Sequence, residues 1–216
     1  MNNTIFCIIG ESCSGKDSLI NKAIEHTKHK LVISYTDRPK RRLERDGVEH
    51  YFLSTEEFDK LKNDNKDNIV AYTKISKDDN DGYQYMALKS ELDKADTYII
   101  DPNGFYYLKK KFPNLNLVPI YINCTLEDRL YRAKKRSDLN KFMDRVNNEH
   151  EQFEEFLNND DYITLTNEEF FSTIGRKILD KYFDRFNIIH IINNNNRDSF
   201  NINVGNIKDI MNYYDE

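Results

Sequence analysis

The chain has 216 residues, with 7 glycines, 4 prolines, 3 cysteines, no tryptophan and a net charge of -5. That length suits one domain, or a core domain with an inserted subdomain, and buries a sizeable core without disulfides or a structural metal. No stretch approaches the roughly 18 consecutive apolar residues of a membrane-spanning helix, and the acidic balance argues against a dedicated nucleic-acid binder. MNNTIFCIIG carries an apolar run but neither a basic leader nor a small-residue cleavage site, so no signal peptide is expected. Cys7, Cys13 and Cys124, odd in number and widely spaced, point to a reducing, cytoplasmic setting. Histidines 26, 29, 50, 150 and 190 form no ligand pattern, so no zinc site is expected.

Thr4 to Ile9 is a short apolar run of the kind a buried strand supplies. Gly10 to Gly15 breaks it, and Lys16 to Glu25 reads as a helix with Leu19, Ile20 and Ala23 at helical spacing. Leu31 to Tyr35 is a second candidate strand. Residues 36–96 turn polar and tyrosine-rich, with β-like runs at 50–53, 69–75 and 83–86 and a helix around 55–64. Thr97–Ile100 and Leu115–Cys124 are again continuous apolar strands, followed by helices at about 103–112 and 125–136. A charged helix is expected over about 139–158, a strand over Tyr162–Leu165 and a helix over about 168–185. Strands alternating with helices, each strand an unbroken apolar run, indicate a parallel sheet covered on both faces. The block at 36–96 interrupts that alternation as an inserted β-rich subdomain. Beyond Phe186, Ile188–Ile192 is a candidate added strand and Ile207–Tyr214 a candidate terminal helix, while the asparagine run between them reads as compositional bias.

Gly10-Glu11-Ser12-Cys13-Ser14-Gly15-Lys16-Asp17-Ser18 follows a strand, opens a helix and fits G-x-x-x-x-G-K. In such a loop backbone N–H groups wrap the phosphates of a nucleotide, and the lysine, here Lys16, reaches the β and γ oxygens. The helix N-terminus adds partial positive charge. The bland alternative is a Gly/Ser turn that happens to carry a lysine. Position 17 departs from the usual Ser/Thr that helps hold Mg²⁺. Either Asp17 coordinates the metal, directly or through water, or Ser18 contacts phosphate.

Of eleven arginines, eight fall in two clusters, 38–45 and 129–145. The first lies in Ser34-Tyr35-Thr36-Asp37-Arg38-Pro39-Lys40-Arg41-Arg42-Leu43-Glu44-Arg45-Asp46-Gly47-Val48-Glu49-His50-Tyr51-Phe52. With the phosphate loop about twenty residues upstream, this block resembles that of the guanylate kinases, whose pattern is roughly S-x-T-T-R-x-P-R-x-G-E-x-x-G-x-D-Y-x-F. Ser34, Thr36, Arg38, Arg41, Glu44, Gly47 and Phe52 match it at unbroken spacing. The resemblance implies that Arg38 and Arg41 grip the acceptor's monophosphate through charge-assisted bonds, for which guanidinium geometry is suited, and that Ser34 helps read guanine. The family's phosphate-binding tyrosine falls at His50, with Tyr51 adjacent as its substitute, so the resemblance implies His50 and Tyr51 among the substrate-binding residues. Its guanine-reading glutamate falls near Ala71. Gly82-Tyr83-Gln84-Tyr85 loosely matches the family's Y-Y-G-T, making Tyr83 a phosphate-contacting candidate. Asp101, closing a strand, matches the family's strand-end aspartate, a partner for the base's amino group or for Mg²⁺ through water.

The second cluster, Arg129 to Arg136 with Arg145 beyond, is similar to the family's mobile lid, where arginines close over the transferring phosphoryl group. Arg132 and Arg136 lie four apart and share a helix face. Asp161–Glu168 is similar to the late strand ending beside the donor's adenine, which implies a donor contact at Asn167. The implied fold is α/β: a P-loop three-layer fold with a parallel sheet, an inserted acceptor-binding subdomain and a helical lid. Its implied division is a guanylate kinase-like domain over 1–185, with core 1–35 and 97–185, insert 36–96 and lid about 137–146, then an extension 186–216 of unassigned role. The implied activity is ATP-dependent phosphorylation of a nucleoside monophosphate, GMP or dGMP, with Mg²⁺, by a monomer or homodimer without nucleic-acid or membrane partners. Lys16, Arg132, Arg136 and Arg145 are the implied catalytic residues. Gly10, Ser12, Cys13, Ser14, Gly15, Lys16, Asp17, Ser18 and Asn167 are the implied ATP contacts. Two competing readings are a kinase of another nucleotide or of a phosphorylated sugar, and a non-catalytic guanylate-kinase-like binding module.

Overall fold

The computed structural model describes residues 4–42, 44–78, 81–135, 139–159, 162–166, 187–195 and 200–215. In chain order the elements are β1 (Thr4–Ile9), α1 (Lys16–Ile24), β2 (Tyr35–Thr36), β3 (Tyr51–Phe52), α2 (Thr55–Asp64), β4 (Ile69–Asp78), β5 (Asp81–Leu88) and α3 (Lys89–Leu92). There follow β6 (Thr97–Ile99), α4 (Pro102–Lys111), β7 (Asn116–Asn123), α5 (Leu126–Lys135), α6 (Leu139–Leu157), β8 (Tyr162–Thr166), β9 (Asn187–Asn193) and the helix Phe200–Asp215, here α7. The chain forms two compact units, one of residues 1–5 and 29–116, the other of residues 6–28 and 117–216. The helix expected over about 168–185 lies outside the described residues.

The first unit holds a four-stranded sheet in the order β3-β2-β5-β4. β5 runs antiparallel to both β2 and β4, while β2 and β3 are parallel. Its core is Phe58, Ile69, Met86 and Leu88, flanked by Tyr35, Leu53, Leu61 and Tyr72. Phe58 is the one wholly buried side chain of a mostly polar α2, with Leu61 partly buried beside the same core, so that helix owes its place to few contacts and a good start. Ser54 accepts from the Glu57 N–H while Glu57 accepts from the Ser54 N–H, a reciprocal capping box.

The strand expected over 31–35 is divided instead. Leu31 makes only a parallel bridge to Thr97, whereas Tyr35 and Thr36 pair within the four-stranded sheet. The Thr36 hydroxyl donates to the Gln84 carbonyl at 2.8 Å, and the Tyr35 and Tyr51 rings stack at 4.8 Å. Those side-chain bonds fix the switch, and an apolar run alone does not reveal them.

In the second unit the strand order is β1-β7-β9-β8. β9 pairs in parallel with β7 through Ile120↔His190 and with β8 through Leu165↔His190. Phe6 to Ile9 of β1 are all buried, as a strand covered on both faces requires. The segment set aside as an extension therefore supplies an interior strand. It also supplies α7, which packs against α1 and is tied by a Lys28–Asp215 ion pair at 2.8 Å. At the centre of β9, His190 is wholly buried, with its Nε2 3.0 Å from the Tyr214 hydroxyl of α7. No helix among the described residues is long and apolar enough to cross a membrane.

Burial pushes the His190 imidazole down to about 3, against an ordinary value near 6.5. In the unfolded chain His190 takes up a proton below about pH 6.5, whereas the folded protein does not until about pH 3. Its contribution to stability is thus intact above the unfolded value and falls steadily as the pH drops between the two. Urea denaturation from pH 7 to pH 4 should show stability declining on acidification, and His190→Gln should decline less steeply.

Candidate functional site

The loop from Gly10 to Lys16 leaves β1 and enters α1 through two left-handed residues, Cys13 at φ 65° and Gly15 at φ 89°. A side chain on Gly15 would lie 2.7 Å from the Asn194 Nδ2, and one on Gly10 would lie 2.9 Å from the Ile122 carbonyl oxygen. Both glycines thus stand where the backbone must pass close to its surroundings. Ser14 is buried and its N–H donates to the Glu11 carbonyl. Lys16 begins α1 half-buried, with Asp17 and Ser18 exposed in the same first turn.

The loop's outward donors meet an anion. The Ser12 N–H donates to a Glu149 carboxylate oxygen at 2.9 Å and the Ser12 hydroxyl donates to the other. Glu149 lies on α6 four residues beyond Arg145, so the two share the helix face turned to the loop. The loop's carbonyls are gripped from α5. Arg132 donates to the Ser14 oxygen at 2.7 Å, to the Cys13 oxygen at 3.3 Å and to the Asn194 oxygen at 2.7 Å. Arg132, expected over the transferring group, here braces the loop's backbone. Arg129 is buried and paired with Glu11 at 2.8 Å. Burial, with the Glu11 carboxylate nearby, raises the Tyr121 hydroxyl well above its usual range. Arg136 and Asn167 lie outside the described residues.

In the first unit Arg38 is almost fully buried. It donates to the Glu44 carboxylate at 2.9 Å, the Tyr85 hydroxyl at 3.1 Å and the Pro39 carbonyl at 2.9 Å. Arg41 remains half-exposed, its N–H donating to the second Glu44 oxygen at 2.8 Å. Burial alone would raise the Glu44 carboxyl, but the bonds from Arg38 and the Arg41 N–H outweigh it and hold the group below its ordinary range. Ser34 Oγ lies 2.8 Å from His50 Nδ1, and the His50 ring meets Tyr85 edge-on. Tyr51 stacks on Tyr35 rather than facing Arg38. Tyr83 is exposed and two residues from Tyr85, hence on the same face of β5. Asp101 caps α4 through the Gly104 N–H at 2.7 Å and accepts from the Thr73 hydroxyl at 2.6 Å. Ala71 is buried.

Ser34, Arg38, Arg41, His50, Tyr83 and Asp101 all fall in the first unit, and the phosphate loop, Arg132 and Arg145 in the second. Several partners escape sequence reasoning. Tyr85 has a signal, the alternating Tyr83-x-Tyr85 of a strand face. Gln84 has none, yet its N–H and side-chain amide both donate to Asp37 and its carbonyl accepts from Thr36, setting the bend into Arg38. Glu149 lies in an ordinary charged helix. Asn194 and Asn195 sit in the asparagine run set aside as bias; the signal was an apolar run ending in polar residues, as at Gly10 and Asn123. Among the described residues no three His, Cys, Asp or Glu side chains converge as a metal cage. Mg²⁺ in phosphate chemistry needs only one or two carboxylates, with water and phosphate oxygens completing its shell. The exposed Asp17 oxygen beside Lys16 suits that donor set.

Residues 2–187 match the family model described as guanylate kinase. The chain is 30% identical over 185 residues to the guanylate kinase of Mycoplasma genitalium, covering 79% of this chain and 72% of that protein. It is 36% identical over 143 residues to the guanylate kinase of Mycoplasma pneumoniae, covering 62% of this chain and 56% of that protein. It is 33% identical over 117 residues to the guanylate kinase of Pseudoalteromonas translucida, covering 53% of this chain and 55% of that protein. The chain thus spans little more than half the length of two of these relatives. Among solved structures, guanylate kinase from Anaplasma phagocytophilum aligns with a TM-score of 0.56 at 17% identity, covering 97% of this chain and 85% of that one. That likeness places the α/β fold.

Replacing Glu44 strands a buried guanidinium, a change of the costly kind. Glu44→Gln should lower unfolding free energy by roughly 2–3 kcal/mol, measured by urea denaturation at neutral pH. Because the carboxyl is held low, the loss should be present above the ordinary glutamate value near 4.3 and shrink as the pH falls through the lowered folded value.

Proposed function

The chain belongs to the guanylate kinase family, and we propose that it transfers the γ-phosphoryl group of ATP to the phosphate of GMP, yielding ADP and GDP. The observation that carries this reading is the phosphate loop itself, whose Ser12 N–H and hydroxyl donate to the two oxygens of one anionic group, here the Glu149 carboxylate. A triphosphate offers the same donors more charge and more oxygens.

In this reading Gly10, Ser12, Cys13, Ser14, Gly15 and Ser18 surround the donor's phosphates. Lys16 neutralises the β and γ oxygens. Asp17 holds Mg²⁺, directly or through water, and the metal supplies charge neutralisation on the phosphates. Arg38 and Arg41 hold the acceptor phosphate, with Tyr83 beside them. Arg38 is already aimed by Glu44 and Tyr85, so little ordering remains to be paid on binding. Ser34 and Asp101 address the base. Arg145 answers the charge that develops on the equatorial oxygens, and Arg132 serves by holding the loop. Phosphoryl transfer asks little covalent chemistry of the protein, and positioning with charge neutralisation accounts for the rate. The acceptor insert 36–96, the core and the lid near 137–146 belong to the same reading.

The test is ADP formation from ATP with a panel of nucleoside monophosphates. GMP should be the best acceptor, with a narrow margin over other purine monophosphates, because the buried Ala71 offers no polar group for the wrong base to leave unpaired. Lys16→Ala should cost about a hundredfold or more in kcat/KM. No ADP with any monophosphate would defeat the proposal. Since the Glu149 carboxylate occupies loop donors, Glu149→Gln should lower the KM for ATP by about fivefold, the equivalent of roughly 1 kcal/mol for unit charges 4 Å apart in water. An unchanged or higher KM would show that Glu149 does not compete with the nucleotide.

A further inference from the structure

Residues 188–216 lie beyond the family-matched segment, yet they reach the back of the phosphate loop. We propose that Asn194 is a positioning residue for the donor site, so that the C-terminal segment sets the aim of the loop's amides. This rests on the reading that the loop takes ATP.

Asn194 directly follows β9 and is almost fully buried. Its N–H donates to the Asn123 carbonyl at the end of β7 at 2.8 Å, fixing the residue beside β7. Its side-chain Nδ2 donates to the Ser14 carbonyl at 2.7 Å, and its own carbonyl accepts from Arg132 at 2.7 Å. The Ser14 oxygen therefore receives two donors, from Asn194 and from Arg132. A trans peptide is planar, with its N–H directed opposite its carbonyl. Holding the Ser14 oxygen toward Asn194 and Arg132 turns the Gly15 N–H to the other side of the loop, where a phosphate oxygen is to be met.

The Asn194 amide is itself oriented. On α7 the buried Asn203 donates through Nδ2 to the Asn193 carbonyl at 3.0 Å and toward Asn194 Oδ1 at 3.4 Å. That contact assigns the oxygen end of the Asn194 amide to Asn203 and leaves the donor end for Ser14. Asn195 adds a further tie, its Oδ1 accepting from the Thr125 N–H just before α5, the helix that carries Arg132. The short distance from Asn194 Nδ2 to the place a Gly15 side chain would take shows how tightly this support fits.

Asn194→Asp keeps the shape and replaces the donor with an acceptor facing the Ser14 oxygen. Asn194→Ser and Asn194→Ala remove the donor. Each folded variant should raise the KM for ATP at least tenfold and weaken binding of a non-hydrolysable ATP analogue equally, with the KM for GMP within twofold of wild type. A merely structural role would disturb both substrates together. A folded variant that binds the analogue within twofold of wild type overturns the proposal, as does an equal loss for both substrates. If none of the three folds, Asn194 is a folding residue and the proposal is likewise wrong. Failure of the wild-type protein to bind the analogue defeats instead the reading that the loop takes ATP.

Discussion

A loop that offers its N–H groups to a ligand cannot also use them to hold itself together, and the structure depends on how that debt is met. In the loop Gly10–Lys16 the Ser14 N–H closes a turn onto the Glu11 carbonyl, the Ser12 N–H and hydroxyl face outward, and the carbonyls are secured from behind. Arg132 and Asn194 converge on the Ser14 oxygen, and the Arg129–Glu11 pair anchors the loop's first turn. These supports come from α5, from the end of β9 and from the loop itself. Cations in this unit thus serve the loop itself: Arg132 stands against backbone oxygens, and Arg129 against the Glu11 carboxylate.

The first unit solves a parallel problem with a carboxylate. A buried guanidinium is tolerable only when its donors are satisfied. Glu44, Tyr85 and the Pro39 carbonyl each take one N–H of Arg38, one from each of its three nitrogens, in advance. The ring of Phe52 lies 5.5 Å from the guanidinium carbon. Gln84 extends the network by clasping Asp37 and Thr36, so that the bend after β2 is shaped before any ligand arrives. Arg41, half-exposed, is left adaptable.

Much of this was legible in the residues. Unbroken apolar runs announced β1, β7 and β9, because strands covered on both faces have no polar side to show. The glycine spacing around Lys16 announced the loop, because a left-handed turn and a close backbone approach leave few residue choices. The run Ser34–Phe52 announced a cluster of arginines, of which Arg38 is held by Glu44 and Tyr85. What escaped depended on long-range partners. For Arg132, helix position alone does not disclose that three backbone oxygens lie within its reach. The strand at 31–35 read as continuous because hydropathy does not register that Thr36 answers to Gln84. The asparagines at 193–195 read as bias because a polar run has no periodicity; the burial of Asn194 follows only from β9 lying inside the sheet.

That interior seat of β9 also bears on how the protein is made. β9 is the last of the described strands in sequence, yet β7 and β8 both pair with it. During synthesis from the N-terminus, β7 and β8 must wait with open edges until residues 187–193 emerge. Such pairings between distant segments are slow to form, and unpaired strand edges invite association with other chains. The nascent protein is accordingly exposed until residues 187–193 have been translated. The pairing that closes the sheet also brings Asn194 to the loop, so closing the sheet and bracing the Ser14 carbonyl become a single event.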